Sequence, residues 1–482
     1  MGVRASTARI RRPTSWARAT LPFVAGVSLL VAPGASAKPR LERPADPVVV
    51  SGSQTEALLG SDPRTIVAFR VDQRRRWRQI PVQVDERRDV NLGDVYNGTR
   101  EGIEINTYAD PSTLTGADPI PSLDDDDEIA LMARHAGARR GRGHWRKLPR
   151  RLRRRDAVEL RITDPRSGAR RWAYLLDAAA TKRDPSAGKN LVEYRFRLLS
   201  GGYPASYQFR DGPNPESSVV ETGSYRLRFT DRWINDVIEI RRPGTETADL
   251  LDRRKAQFGP GFCGRSTDTF TDGEGAFVAN IDGPVRAIRS YVGANSGPMT
   301  QREHIFYDRR EDTTTFLRVH QIPGVMEFFD YAPTPERMYY RSSTSAAVPI
   351  DGSPDPIPEA APEWEQAYGP HGAVTSVGRL ETDIEGLPLS SYYLDEATPT
   401  DPDQLQCTGD GLAWGSSGTR VHGPIANTDP LRGPAGDFRS VRSIFYDGPG
   451  LRRGDAARRA NWIDQPLLVR GRPAGLGSRR HR

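Results

Sequence analysis

The segments Val158-Glu159-Leu160-Arg161-Ile162 and Trp172-Ala173-Tyr174-Leu175-Leu176 flank the piece Asp164-Pro165-Arg166-Ser167-Gly168. Both flanks are rich in the branched and aromatic residues that strands prefer, and the first alternates apolar with charged side chains. Asp, Pro, Ser and Gly in the connecting piece are typical of tight turns. The sequence therefore predicts an antiparallel hairpin at this point.

The same alternation extends to both sides of this hairpin. Upstream, residues 65–71 and 77–85 read as strands, and Pro81 assigns the second to a sheet edge or a bulge, because proline lacks a backbone donor. Downstream, strands are predicted over residues 192–196, 225–229, 237–240, 284–292, 303–308 and 314–320. Long amphipathic stretches that would form crossover helices are not found. We therefore predict a mostly β fold with antiparallel β-sandwich architecture.

The length of 482 residues favours two domains over one. We expect a hairpin-rich β domain over residues 38–215, with an acidic loop at 124–128 and a basic loop at 139–155. A larger β-sandwich domain is predicted over residues 216–450. Residues 451–482 are rich in Arg and Gly, so we expect a loosely ordered C-terminal tail.

The first 37 residues have the parts of a secretory signal peptide. Five arginines precede an apolar stretch at residues 21–31, and Ala35-Ser36-Ala37 offers a small-residue cleavage site. No run of the chain reaches the roughly 20 apolar residues that a membrane span requires. We therefore predict a secreted, extracellular protein that is cleaved after Ala37 and has no membrane span. The pair Arg11-Arg12 leaves the twin-arginine route open beside the general secretory route.

The chain has two cysteines, Cys263 and Cys407, and glycines flank both. Because an exported protein meets oxidising conditions, we predict that these cysteines form one disulfide. The bridge would tie the larger domain into one folded unit. Two free thiols or pairing between molecules are the alternatives.

The net charge of +7 gives little information about partners, because the leader supplies five of the arginines. Residues 139–155 concentrate nine Arg and Lys147 without an acidic residue. This segment is either a solvated basic loop or a docking patch for an extracellular polyanion. Trp145 is the one aromatic ring among these charges, which disfavours nucleic acid as the partner.

An acidic run, Asp124-Asp125-Asp126-Asp127-Glu128, precedes the basic segment. Calcium takes roughly six to eight oxygen ligands, which such a cluster supplies. Asp124, Asp126 and Glu128 are therefore candidate ligands for Ca²⁺. The alternative is an acidic turn in front of a strand, and the spacing of an EF-hand loop is absent.

The densest group of side chains suited to catalysis lies between residues 282 and 340. The candidate catalytic residues are His304, Tyr307, Arg289 and His320. The candidate substrate-binding residues are Asn295, Arg318, Asp330 and Tyr331. His and Tyr move protons while Arg and Asn neutralise a carboxylate, which suits β-elimination in a uronate, provided that these side chains meet in one groove. The alternative for each is packing and hydrogen bonding within the sheets.

A glycoside hydrolase would instead need two carboxylates across the scissile bond. The carboxylates available for that role are Glu303, Asp308, Glu327 and Asp330. Other catalytic signatures are missing, since the chain has no Walker sequence, no H-E-x-x-H and no G-x-S-x-G motif.

These observations give two functional hypotheses. In the first, the protein is secreted and binds or processes an extracellular, acidic polysaccharide. In the second, it is a non-catalytic binding protein of the cell envelope or matrix that calcium stabilises. The two hypotheses differ in whether the candidate catalytic side chains converge on an open groove.

Overall fold

Antiparallel strands account for most of the regular structure, with 46 % strand and 12 % helix, which confirms the predicted mostly β class. The computed structural model describes residues 41–474, except for 99–100, 142, 150–151, 153–156, 209–214, 242–246, 260–261, 273–274, 335 and 399–405. The predicted signal peptide and its cleavage site therefore lie outside the described residues.

The strands of the N-terminal part come first in the chain. They are β1 (Pro47–Ser51), β2 (Ile66–Val71), β3 (Trp77–Ile80), β4 (Gln83–Asp85), β5 (Arg87–Asn91), β6 (Glu104–Tyr108), β7 (Glu128–Met132), β8 (Ala157–Thr163) and β9 (Arg170–Asp177). The next strands are β10 (Val192–Arg195), β11 (Ser218–Thr222), β12 (Tyr225–Phe229), β13 (Asn235–Ile240), β14 (Leu251–Phe258), β15 (Ala276–Ile281), β16 (Ala287–Gly293), β17 (Thr300–Phe306) and β18 (Arg310–Leu317).

The C-terminal part contains the longest strands. They are β19 (Ile322–Tyr331), β20 (Met338–Ser342), β21 (Val348–Ile350), β22 (Glu365–Gly369), β23 (Gly372–Thr382), β24 (Leu389–Glu396), β25 (Ala413–Ile425), β26 (Phe438–Asp447) and β27 (Leu468–Pro473). The α-helices of the described residues are α1 (Leu92–Val95), α2 (Thr267–Asp272) and α3 (Arg453–Asp464).

Two sheets of the N-terminal part share one apolar core. The five-stranded sheet has the order β27-β8-β9-β2-β3, and the three-stranded sheet has the order β1-β7-β4. Buried residues of both sheets, among them Ile129 and Leu160, pack in this core. The hairpin predicted around residues 164–168 is confirmed, since β8 and β9 pair antiparallel and the Asp164 carboxylate accepts hydrogen bonds from the turn.

Pro81 divides the strand that the sequence predicts over residues 77–85. β3 ends at Ile80 and lies at an edge of the five-stranded sheet, whereas β4 starts at Gln83 in the three-stranded sheet. The prediction of one continuous strand is therefore wrong, and the predicted edge position holds for both halves, since β3 and β4 each lie at the edge of their sheet. Proline has no N–H for a ladder bond, which accounts for the break.

The larger sandwich is built on a nine-stranded sheet with the order β15-β16-β17-β18-β26-β23-β22-β20-β21. One face shares a core with two four-stranded sheets, β10-β11-β12-β13 and β14-β19-β25-β24. Tyr225, Phe306, Phe329 and Ile444 come from different strands of these sheets and are buried together. This arrangement confirms the predicted antiparallel sandwich.

Ion pairs cross the interior of this sandwich. Arg254 of β14 donates to Glu311 of β18 at 2.6 Å, and both side chains are buried. Arg302 of β17 likewise meets Glu327 of β19. Removing one partner of such a pair leaves an uncompensated buried charge, so the pairs fix which side chains face each other across the core.

The C-terminal segment is ordered over most of its described length. Helix α3 packs through Ala456 and Ala460 against Phe445, and β27 pairs with β8 of the N-terminal part. The expectation of a loosely ordered tail is therefore wrong for residues 453–473, because an Arg-rich composition also suits an exposed helix face and an edge strand. The predicted domain boundary at residue 215 stays a prediction.

Cys263 and Cys407 form the predicted disulfide, with 5.6 Å between their Cα atoms. The bridge joins the turn after β14 to the segment before β25 and closes a loop of 144 residues. Within the described residues, no helix combines the length and the apolar character that a membrane crossing requires.

We expect replacement of both cysteines, Cys263→Ala with Cys407→Ala, to lower the free energy of unfolding by about 2–5 kcal/mol, because the unfolded chain regains the freedom of a long loop. Urea unfolding of the oxidised wild type and of the double variant measures this loss. Dithiothreitol should destabilise the wild type by a similar amount and leave the variant unchanged. Equal midpoints for all samples would contradict the prediction.

Candidate functional site

Two predicted catalytic residues, Arg289 of β16 and His304 of β17, are cross-strand neighbours in the nine-stranded sheet. The guanidinium of Arg289 donates two hydrogen bonds to the carboxylate of Glu216 and one, of 3.0 Å, to the hydroxyl of Tyr194. Arg289 is fully buried. Its charge is therefore compensated inside the sandwich and is not presented to a substrate.

His304 is also buried, and both of its ring nitrogens have partners. Nδ1 lies 2.7 Å from Glu311 Oε1, and Nε2 lies 3.0 Å from the hydroxyl of Tyr291. Burial lowers the pKa of His304 to about 3, although Glu311 favours the charged form. The neutral ring donates from Nδ1 to the carboxylate and accepts the Tyr291 hydroxyl at Nε2, so it has no free nitrogen for a substrate proton.

The remaining candidates from the same region are also enclosed. Tyr307 is buried against Met132 and Val285, and burial raises its pKa to about 12. Asp330 accepts hydrogen bonds from Lys255 and Ser416 at 2.6 Å each. Tyr331 is buried in the sandwich core. These side chains therefore do not meet Arg289 and His304 at an open groove.

The carboxylates considered for hydrolysis are separated as well. Glu327 is buried in its ion pair with Arg302, and Asp308 accepts from Arg134 at 2.6 Å. Glu303 lies on the opposite face of β17 from His304, as strand alternation predicts. Across the described residues, these positions do not assemble two carboxylates on one open groove.

Three predicted residues do come together at the surface. Asn295, Arg318 and His320 line one cavity of about 580 Å³. This volume is within the range of roughly 300–1,000 Å³ that small-ligand pockets have. We take this Arg318 cavity as the candidate functional site.

Arg318 is the central cation of the cavity. Its Nη2 donates to Gln301 Oε1 at 3.2 Å, and its Nη1 is buried without a hydrogen-bond partner among the described residues. Burial lowers the pKa of Arg318 to about 10, and Arg439 adds to this effect while Asp437 opposes it. The guanidinium thus lacks the carboxylate contact that the arginines of the interior have.

Local chain geometry fixes the walls of the Arg318 cavity. The turn between β16 and β17 places Ala294 and Asn295 at φ values of 64° and 58°, a region that few residues other than glycine and asparagine adopt readily. On the other side, Thr428 bonds both the N–H and the carbonyl of Val319. The segment that carries Arg318 and His320 is therefore held against the loop before β26.

The cavity combines an apolar floor with a charged rim. Phe258, Leu317 and Ile322 belong to a buried apolar cluster and form the floor. Charged residues from three further loops complete the lining, namely Glu101, Arg265, Asp429 and Arg432. The last two form an ion pair of 3.0 Å. No sequence motif pointed to these residues, because loops far apart in the chain supply them.

Glu303 is a second unusual group beside the cavity. It follows Gln301 by two residues on the same face of β17, and its carboxylate has no hydrogen-bond donor among the described residues. Burial raises the pKa of Glu303 to about 7, while the charges of Arg87 and Arg318 oppose this shift. It is thus a carboxylate near Arg318 whose proton exchanges around neutral pH.

Acidic clusters at two places could hold a metal ion. In the first, carboxylate oxygens of Asp124, Asp126 and Asp127 lie within 4.8 Å of one another. The predicted ligand Glu128 is not in this group, because Arg286 and Arg87 bind its carboxylate at 2.6 and 3.3 Å.

The second acidic cluster lies near the disulfide and consists of Asp252, Asp330 and Asp410. Burial raises the pKa of Asp252 to about 6, and Asp410 adds to this shift. The ammonium of Lys255 is 2.6 Å from Asp330, so this cluster already has a cation.

The one aromatic residue of the basic segment, Trp145, packs inside the fold. Trp145 packs against Trp77 and Tyr174, with ring centroids 5.4 and 5.9 Å apart, and Arg140 lies 4.7 Å over its ring. Its ring is therefore used in packing rather than held out for stacking on a base. Several arginines of this segment lie outside the described residues.

Comparisons with known proteins give two distant structural similarities. No protein-family model matches the chain, and no curated protein matches it. Among solved structures, an α-mannosidase from Enterococcus faecalis V583 is 10 % identical with a TM-score of 0.40, and the match covers 89 % of this chain and 44 % of that one. A protein in glycosyl hydrolase family 38 from Enterococcus faecalis is 10 % identical with a TM-score of 0.39, covering 90 % and 46 %. The chain spans less than half the length of either, and the similarity carries no argument about activity.

We predict that His304 makes the protein sensitive to acid. The pKa of His304 is about 3 in the folded state and about 6.5 in the unfolded chain, so between these values only the unfolded state takes up the proton. Stability should fall as the pH drops from 6.5 towards 3, by up to about 1.4 kcal/mol per pH unit. Urea unfolding at pH 6.5, 5.5 and 4.5 should show a shallower decline for His304→Gln, and an unchanged slope would contradict this assignment.

Proposed function

We propose that this protein is secreted and binds an acidic glycan, with a carboxylate of the sugar chain held by Arg318. The observation that carries this proposal is the buried Nη1 of Arg318, which has no hydrogen-bond partner among the described residues. A buried donor without an acceptor costs roughly 1–3 kcal/mol, more when it is charged. An anionic ligand in the cavity would remove that cost.

The chemistry of arginine favours a carboxylate or sulfate as this anion. A guanidinium presents its N–H groups in a planar fork that matches the two oxygens of a carboxylate. Arg265 lines the same cavity, and no carboxylate pairs with it among the described residues. The cavity therefore has excess positive charge, although Glu101 and Asp429 also line it.

The uncharged lining suits a sugar ring. Asn295, Ser296 and Thr300 are the uncharged polar side chains of the lining, with Ser296 donating to the buried Thr300, and the floor of Phe258 and Leu317 is apolar. A pyranose presents hydroxyls at its edge and C–H groups on its faces, so both parts of the lining have a partner. The disulfide supports an extracellular location for such a ligand.

Binding without catalysis is the form of this function that the geometry supports best. Arg289, His304 and Tyr307 are buried and hydrogen-bonded, so a sugar in the Arg318 cavity would not reach them. The hypothesis of a calcium-stabilised envelope or matrix protein is compatible with the same cavity, because holding an anion needs no proton transfer. Processing of the glycan would have to use other groups, such as His320, which lines the cavity, or Glu303, whose proton exchanges near neutral pH.

We expect Arg318→Gln to weaken binding of uronate-containing oligosaccharides roughly 10- to 100-fold, because one or two charge-assisted hydrogen bonds are lost. Binding of neutral oligosaccharides should not change. Isothermal titration calorimetry at low and high salt measures both effects, and the affinity of the wild type should fall with salt.

Arg64→Gln is the matched control, because Arg64 is exposed and lies in the N-terminal part away from the cavity. It removes the same charge and should bind acidic oligosaccharides like the wild type. Thermal unfolding of both variants separates loss of binding from loss of folding. Equal affinity of Arg318→Gln and the wild type would refute the proposed site.

Incubation with a panel of acidic and neutral glycans separates binding from processing. Absorbance of unsaturated products reports elimination, and new reducing ends report hydrolysis. We expect neither signal, together with binding that survives His304→Ala. Turnover that Glu303→Gln abolishes would instead establish the protein as an enzyme.

A further inference from the structure

The five-stranded sheet of the N-terminal part has a second face, opposite the apolar core that it shares with the three-stranded sheet. Leu160 and Ile162 of β8 point into that core, so Arg161 between them points to the second face. At one end of this face the basic segment packs Trp145 and Leu148 against the sheet. At the other end the outward side chains are half-buried or exposed, so this end is accessible to a partner.

Arginines from three strands meet at the accessible end of the sheet. Arg470 of β27 lies opposite Arg161 of β8, and Trp172 of β9 lies opposite Arg161 on its other side. Side chains at directly opposite positions point to the same face, with Cβ atoms about 4.5–5.5 Å apart. Arg472 and Arg170 lie on the same face, because each is two residues along its strand from a member of this row. We call these four arginines and Trp172 the basic face.

Two carboxylates near the basic face do not neutralise it. Glu159 lies opposite Arg472, but its oxygens are 3.3 Å from Arg140 and 3.8 Å from Arg139. Glu56 lines a cavity of about 340 Å³ beside β27 and forms no ion pair with the basic face. In the part of the chain that the structure describes, the four arginines thus have no carboxylate partner.

The like charges of Arg161 and Arg470 cost the sheet stability. Equal charges at directly opposite positions destabilise a pair of strands. A second pair of opposite arginines in this sheet, Arg70 and Arg78, is partly neutralised, since Arg78 lies 3.3 Å from Asp72. The pair on the basic face lacks such a partner among the described residues, so an anion from outside the chain would offset its repulsion.

We propose that the basic face docks an extended acidic polysaccharide, with acidic groups along Arg161 and Arg470 and a sugar ring on Trp172. A row of cations on a sheet face suits a chain of spaced charges, whereas a single small anion is held better in a concave site. Trp172 is half-buried, so its exposed part offers an apolar surface to the C–H groups of a sugar. One such ring serves a glycan, whereas single-stranded nucleic acid stacks successive bases on several rings.

The choice of a glycan rests on the function proposed above, but the surface itself does not. The basic face belongs to β8, β9 and β27 and shares no residue with the lining of the Arg318 cavity. Each exposed ion pair contributes little, so binding to this face needs a ligand with several acidic groups. A uronate disaccharide should therefore occupy the Arg318 cavity alone, and a polymer should also dock on the basic face.

The experiment measures polymer binding in the background of Arg318→Gln, which removes the contribution of the cavity. Arg161→Gln and Arg470→Gln are added together to this parent, and binding to immobilised polygalacturonate and dextran sulfate is followed by surface plasmon resonance. We expect the affinity for both polymers to fall roughly 3- to 10-fold and its dependence on salt to become shallower. Without polymer, the melting temperature of this face variant should equal or exceed that of the parent, because the repulsion is relieved.

Arg64→Gln together with Arg337→Gln is the matched control in the same parent. Both arginines are exposed, and each lies beside a carboxylate, at 2.8 Å and 3.9 Å. The control removes the same charge as the face variant, and it should bind both polymers like the parent.

The outcomes separate the basic face from the Arg318 cavity. Equal affinity of the face variant and the control would overturn the basic face, and so would a parent that binds neither polymer. Binding of digalacturonate to the wild type and to Arg318→Gln tests the cavity separately. Oligo(dT) or phosphatidylglycerol vesicles that bind the parent more tightly than either polymer, and lose this binding in the face variant, would overturn the choice of a glycan.

Discussion

Buried pairs of arginine and carboxylate side chains between the sheets constrain the whole sandwich. The pairs include Arg254–Glu311, Arg302–Glu327 and Arg289–Glu216. Breaking one pair by truncation typically costs about 3–5 kcal/mol, because the remaining ion stays buried. A shift of one residue in register would turn every side chain of a strand to the other face. The pairs therefore penalise any register except the one in which each guanidinium meets its carboxylate.

The same pairs explain which strands the sequence revealed. β12 reads as alternating apolar and charged residues and was predicted with its observed bounds, because its charged side chains face away from the core. β14, with the sequence Leu-Asp-Arg-Arg-Lys-Ala-Gln-Phe, has no such pattern, since Arg254 and Lys255 are both buried. Hydrophobic periodicity detects apolar faces only, so a strand that buries ion pairs is missed.

The candidate site was predictable to the extent that its residues are close in the chain. Asn295 precedes β17 and Arg318 follows β18, so the hairpin that these strands form brings them near each other. Alternation also separated Glu303 from His304 correctly. Alternation does not predict which face of β17 a second sheet covers. His304 is buried because it lies on the covered face. Asp429 lines the cavity because strands far apart in the chain pair with each other. A single sequence has no local pattern that predicts this pairing.

The contrast between paired and unpaired charges is the reason to expect a ligand in the Arg318 cavity. In the interior, Arg254 and Arg302 each meet a carboxylate that accepts further hydrogen bonds. Arg318 donates to an amide oxygen and lies over the ring of Phe316, and its Nη1 has no hydrogen-bond partner among the described residues. Because the interior arginines gain their stability from a carboxylate, an anion from outside the chain would give Arg318 the partner that the fold does not supply.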